Sequence, residues 1–207
     1  MVGNASNGRP AAFRWVLGLV ALALMGSAVA KESPATYRIV GYVADADPLP
    51  AIDPAKLDVL NYAFGTLDEQ GHIVLRSPHA TASLASLVGL RQRNPNLRVV
   101  LSVGGWSAGH FSEAALTEAS RKRFADDAAK LIEQHDLDGL DVDWEYPTLP
   151  GGNISHRPED RRNFSLMLEA VRARLDVLGK QHKGRHYLLT IASADNEFVA
   201  GIELARV

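Results

Sequence analysis

Residues 137–147, LDGLDVDWEYP, constrain this chain more than any other stretch. Leu140, Val142 and Trp144 alternate with Asp141, Asp143 and Glu145. Alternation is the period of a β-strand, whose successive side chains point to opposite faces. Three carboxyl groups therefore line one face and three apolar groups the other. A solvated strand has little reason to use carboxylates alone, with no Lys or Arg among them. Like charges stacked two residues apart repel, and protonating one of them relieves the repulsion. A carboxylic acid kept protonated near neutral pH is what general acid catalysis requires.

The rest of the chain bounds what such a strand can serve. A formal charge of −2 is too small to point to nucleic acid or an anionic surface as partner. The absence of cysteine excludes a thiol nucleophile and a Cys-ligated metal. The seven histidines (His72, His79, His110, His135, His156, His182 and His186) show no metal spacing, and no glycine-rich loop follows a phosphate pattern. No metal and no cofactor are expected. At the N-terminus, Arg9 and Arg14 precede the apolar run Trp15 to Gly26, and Ala28-Val29-Ala30 fits a small-residue cleavage site. Residues 1–30 read as a secretory signal peptide, too short in its apolar part to span a bilayer, which needs about 20 residues. The expected product is a secreted chain (extracellular or periplasmic) starting at Lys31, with no membrane segment after cleavage.

Residues 37–43 and 57–67 read as strands, with 72–76 as a short extension beyond a turn at Gly71. Residues 80–93 are helical in spacing and stop at Asn94-Pro95. Residues 97–106, LRVVLSVGGW, form a third strand, apolar enough to be buried on both faces. Residues 111–135 read as mostly helix, and the acidic strand follows. After a loop through residue 157, Pro158, Glu159 and Asp160 suit the first turn of another helix, and residues 187–194 form a fifth strand. Strands alternating with helices predict a parallel α/β fold. Carboxylates at the C-terminal end of a strand suit both open α/β sheets and closed barrels.

The form D-G-x-D-x-D-x-E, at Asp138, Gly139, Asp141, Asp143 and Glu145, resembles the signature of glycoside hydrolase family 18, the chitinase family. Upstream, Ser102-Val103-Gly104-Gly105 resembles the S-x-G-G motif of the same family. The resemblance implies a (β/α)8 TIM barrel. Such a barrel takes about 250 residues, so the expectation is a barrel truncated after about the fifth strand, with residues 31–207 as a partial catalytic domain. The family's Met-x-Tyr-Asp segment on strand six and Trp on strand eight would lie outside this chain. Strand edges left open by an incomplete barrel predict that residues 31–207 alone aggregate or stay partly unfolded.

The resemblance also assigns roles. Glu145 matches the general acid, and Asp143 the residue that orients the substrate's N-acetyl group. That group is itself the nucleophile, so configuration is retained through an oxazolinium intermediate. Asp141 lies on the same face as Asp143 and could share its proton. Ser102 matches a serine placed near the Asp141 position, and its hydroxyl can stabilise a buried charge. Asp138 has the opposite parity and reads as structural, bonding backbone outside the barrel. Gly104 and Gly105 allow close approach of sugar or backbone, or mark a plain bulge. Trp106 and Tyr146 are candidates for stacking on sugar rings. Tyr42 and Phe64 match aromatic positions near the catalytic subsite, although core packing is the better expectation for Phe64. The expected partner is chitin or N-acetylglucosamine oligosaccharides, met by a monomer. Two alternatives stand beside a chitinase: an endo-β-N-acetylglucosaminidase acting on N-glycans, and an inactive sugar-binding fragment.

Overall fold

The computed structural model describes Met1 and residues 37–193 and 195–207. The expected signal peptide, Met1 apart, lies outside the described residues. Six strands occur in this region: β1 (Val40–Ala44), β2 (Val59–Leu67), β3 (Ile73–Val74), β4 (Arg98–Gly104), β5 (Gly139–Asp143) and β6 (Leu188–Ile191). The helices are α1 (Ala80–Gly89), α2 (Phe111–Leu116), α3 (Glu118–Gln134) and α4 (Asp160–Gln181). Five strands lie in the order β1-β2-β4-β5-β6, all parallel, and the short β3 pairs antiparallel with the end of β2. Among the described residues no helix is long and apolar enough to cross a membrane.

The alternation in each strand sorts side chains between two environments. Val43, Leu60, Tyr62, Val99, Leu101, Val103, Leu140 and Val142 join the helices in one apolar core. Phe124, Ala128 and Ile132 of α3 and Phe164, Met167, Val171, Leu175 and Leu178 of α4 supply the facing side. Trp144, 2% exposed, continues the apolar parity of β5 beyond its last ladder residue. Its ring stacks on Phe111 at 5.5 Å and meets Phe164 edge-on at 5.5 Å. This anchor orients the backbone that carries Glu145 next in sequence.

The helix expected over 111–135 is divided at Thr117. That residue is extended (φ −116°, ψ 158°), and its side chain forms a capping box with Ser120 that starts α3 afresh. Helix α4 begins at Asp160, whose carboxyl is fully buried instead of facing water in the first turn. It lies 2.9 and 2.7 Å from the Ser112 hydroxyl and accepts the Arg157 backbone N–H at 2.7 Å. The Arg157 guanidinium also reaches Glu113 at 3.0 Å, so the loop that follows the acidic strand is tied to α2.

At the opposite end of the sheet, Asp138 accepts the Val99 N–H at 2.8 Å and pairs with Arg91 and Arg185. One carboxylate thereby links α1's following turn, β4, β5 and the approach to β6. Its side chain is 13% exposed, and removing it takes from Arg91 and Arg185 their more covered carboxylate partner while Asp136 stays with both, at 2.8 and 3.1 Å. Asp138→Ala is expected to lower unfolding stability by about 1–3 kcal/mol in urea titration, the cost of leaving covered donors such as the Val99 N–H without their acceptor. The titration of the carboxyls at the other end of β5 should stay unchanged.

Candidate active site

Strand register decides which polar groups meet on the face away from the helices. Ser102, Asp141 and Thr190 are direct partners across β4, β5 and β6. Tyr42 and Asn61 are partners across β1 and β2, one step nearer the strand starts than the paired Ala63 and Ser102. Asp143 follows Asp141 on the same face and is paired with Gly104.

Asp141 is 1% exposed and surrounded by hydroxyl donors. Tyr42 donates to Oδ2 at 2.9 Å, Ser102 to Oδ2 at 2.8 Å, and Thr190 to Oδ1 at 2.6 Å. A buried carboxylate without donors would be driven to neutrality, whereas three charge-assisted bonds support the anion. Burial, then the neighbouring Asp141 charge, pushes the Tyr42 phenol up to about 12, so Tyr42 stays a donor.

Asp143 is 6% exposed and has a different environment. Its Oδ1 is buried with no hydrogen-bond partner. Burial pushes its carboxyl from 3.8 up to about 7, and the charges of Glu145 and Asp141 add to the effect. Of the stacked carboxyls, the middle one is the one whose affinity for a proton is raised. Glu145 lies beyond the end of β5 and is half-buried, at the open side of the cluster.

The glycines of β4 serve the backbone. At Gly104 (φ +129°) a Cβ would fall 2.0 Å from the Asp143 carbonyl oxygen, and the Gly105 N–H donates to that oxygen at 2.9 Å. Gly105 (φ +94°) faces the Phe64 ring, which would stand 3.0 Å from a Cβ there. The expected core position of Phe64 is not found: it is 38% exposed. Register explains this, because Ala63 pairs with Ser102 and Gly65 with the very next residue, Val103. Phe64 is the extra residue of a β-bulge, which re-aims its side chain. Trp106 is 63% exposed, while the Tyr146 ring packs at 4.6 Å on Phe198. Among the described residues no group of three or more His, Asp or Glu side chains is placed to hold a metal ion.

Sequence reading did not single out Thr190, Asn61 or Phe198. Thr190 is the one polar residue in the run Leu188–Ile191, which was the available signal. Its partner was not legible, because cross-strand register is a tertiary property.

The family model of glycosyl hydrolases family 18 matches residues 38–205. The chain belongs to this family. Chitinase A1 of Niallia circulans is 46% identical over 237 residues, covering 85% of this chain and 33% of that protein. A putative chitinase 1 of Margaritifera margaritifera is 31% identical over 169 residues, covering 77% and 35%. Among solved structures, a family 18 N-acetylglucosaminidase from Paenibacillus barengoltzii matches with a TM-score of 0.74 at 43% identity, covering 83% of this chain and 50% of that one. The chitinase domain of the spore coat protein CotE from Clostridium difficile matches with a TM-score of 0.74 at 32% identity, covering 86% and 48%. The chain therefore spans about a third of these curated relatives and about half of these solved chains. Its five parallel strands form part of the family 18 TIM barrel.

In this family 18 chain the raised Asp143 value links stability to pH. Between 3.8 and about 7 the folded state holds a proton that the unfolded state has lost. Its contribution to stability is present below that window and is lost as pH rises through it. Melting temperature is expected to fall from pH 4 to pH 7. In Asp143→Asn that slope should flatten, with the variant more stable than the parent at pH 8, as checked by calorimetry at each pH.

Proposed function

We propose that the protein is a secreted chitinase-type glycoside hydrolase. It cleaves β-1,4-linked N-acetylglucosamine polymers with retention, by substrate-assisted catalysis. The observation that carries this reading is the division of labour along β5. Asp141 is buried among three hydroxyls, Asp143 is buried with its affinity for a proton raised, and Glu145 is at the open side.

Glu145 is the general acid. It protonates the glycosidic oxygen as the bond breaks and then takes a proton from the water that attacks C1. The acetamido oxygen of the sugar is the nucleophile and closes an oxazolinium ring, with Asp143 orienting the N–H and balancing the developing positive charge. Asp141 supplies the fixed negative charge behind Asp143. Trp106, exposed beside this cluster, offers a face for a sugar ring, as do Phe64 and Tyr42. The enzyme acts as a monomer.

A second reading is an endo-β-N-acetylglucosaminidase acting on N-glycans, which the same carboxyl chemistry would serve. Product analysis on chitin oligomers against an N-glycosylated protein separates the two. The presence of Glu145 counts against a purely sugar-binding role.

Glu145→Gln keeps the shape of the side chain and removes the acid. Its hydrolysis of N-acetylglucosamine oligomers, followed by mass spectrometry of products, should drop by about 10²–10⁴-fold. Calorimetric affinity for the same oligomers should hold within a few-fold, and an unchanged rate would remove Glu145 from the mechanism. The secretory reading predicts that the mature protein, sequenced from its N-terminus, begins at Lys31.

A further inference from the structure

Of the three hydroxyls on Asp141, the one contributed by β6 stands apart. Tyr42 and Ser102 both donate to Oδ2, whereas Thr190 alone among the described contacts donates to Oδ1, at the short distance of 2.6 Å. A carboxylate held through one oxygen can still turn about its Cβ–Cγ bond and present the other oxygen elsewhere. Held through both, it has one orientation. The donors come from three strands, β1, β4 and β6, and converge on a side chain of β5.

We propose that Thr190 is a positioning residue of this site: its hydroxyl completes a clamp that fixes the Asp141 carboxyl in one orientation behind Asp143. The inference rests on the hydrolase reading for its catalytic consequence but not for the clamp itself. Asp141 and Asp143 compete for one proton, so whichever is better solvated by donors remains the anion. Asp141 has three hydroxyl donors, and Asp143 has a buried oxygen with none.

The ionisable groups that bear on the pair are few. β1 presents the Tyr42 phenol, held un-ionised. β2 and β4 present Asn61, Ala63 and Ser102, none of which titrates in this range. β5 itself leads on to Glu145, and Tyr146 follows it with its phenol pushed up by burial first and by Glu145 second. β6 presents only Thr190 at this level. A change in the titration of Asp141 on altering Thr190 therefore has one source.

The test is site-resolved ¹³C NMR of aspartate-labelled full chain across pH 3 to 9, on the parent and on Thr190→Val, which keeps shape and removes the hydroxyl. Losing the Oδ1 donor is expected to raise the Asp141 step by roughly one pH unit, tenfold in proton affinity. The Asp141 carboxyl should then take up part of the titration that belongs to Asp143 in the parent. Thr190→Ser should restore the parent curve. If Thr190→Val does not fold, Thr190→Ala carries the same expectation on an exposed edge-strand position. An Asp141 step unmoved in Thr190→Val, or a Thr190→Ser curve that matches Val instead of the parent, overturns the proposal.

Hydrolysis of N-acetylglucosamine oligomers, measured in parallel, keeps the two readings apart. The expected result for Thr190→Val is a lower kcat with little change in KM and an altered pH profile, both rescued by Ser. Should the parent itself cleave no oligomer, the hydrolase reading fails while the NMR titration still decides the clamp. Should cleavage persist with unmoved carboxyls, the clamp fails and the hydrolase reading stands.

Discussion

The burial of like charges on one strand is the constraint on which this structure depends. Asp141 and Asp143 are both almost entirely covered and separated by one residue, so they cannot both be bare anions. The fold answers with asymmetry. It surrounds Asp141 with the hydroxyls of Tyr42, Ser102 and Thr190, and it leaves Asp143 short of donors. One carboxyl is thus well supplied with donors, and its neighbour has its affinity for a proton raised. Five parallel strands are needed to do this, because the three donors sit on different strands and meet only when the sheet is assembled in register.

The opposite face of the same strand is where the stability comes from. Leu140, Val142 and Trp144 join a core shared with α2, α3 and α4, and the Trp144 ring is packed between Phe111 and Phe164. Each fully buried side chain of this size contributes about 1.5–3 kcal/mol relative to exposure. That apolar burial offsets the cost of the acidic face, and the alternation couples the two. A one-residue slip would exchange the carboxyls with the core residues, so the register is strongly specified. Asp138, of the opposite parity to the acidic face, secures the start of the strand through Arg91, Arg185 and the Val99 N–H.

Close backbone approach shapes the mouth of the site. Gly104 lets the Asp143 carbonyl come where a Cβ would otherwise stand, and the bulge at Phe64 turns that ring toward Gly105 and outward. The loop after the acidic strand is held by the buried Asp160 through Ser112 and Arg157. These are local departures from regular geometry, concentrated at the strand ends where substrate would be met.

The sequence by itself determined a good deal. Alternation in residues 137–147 assigned the strand, its two faces and the need for a raised carboxyl, because side-chain direction in a strand follows from covalent geometry alone. Strands alternating with amphipathic helices determined a parallel α/β fold, and the motifs at Ser102–Gly105 and Asp138–Glu145 pointed to family 18. Other features were not legible. That Asp143 is the carboxyl pushed up depends on which neighbours bring donors, and Thr190 reaches Asp141 from a strand 49 positions away in sequence. Phe64 leaves the core because of a bulge that exists only between paired strands, and Asp160 is buried because α2 places Ser112 over it. Only the tertiary structure decided these, since register, hydrogen-bond partners and desolvation are relations between distant segments and carry no local pattern.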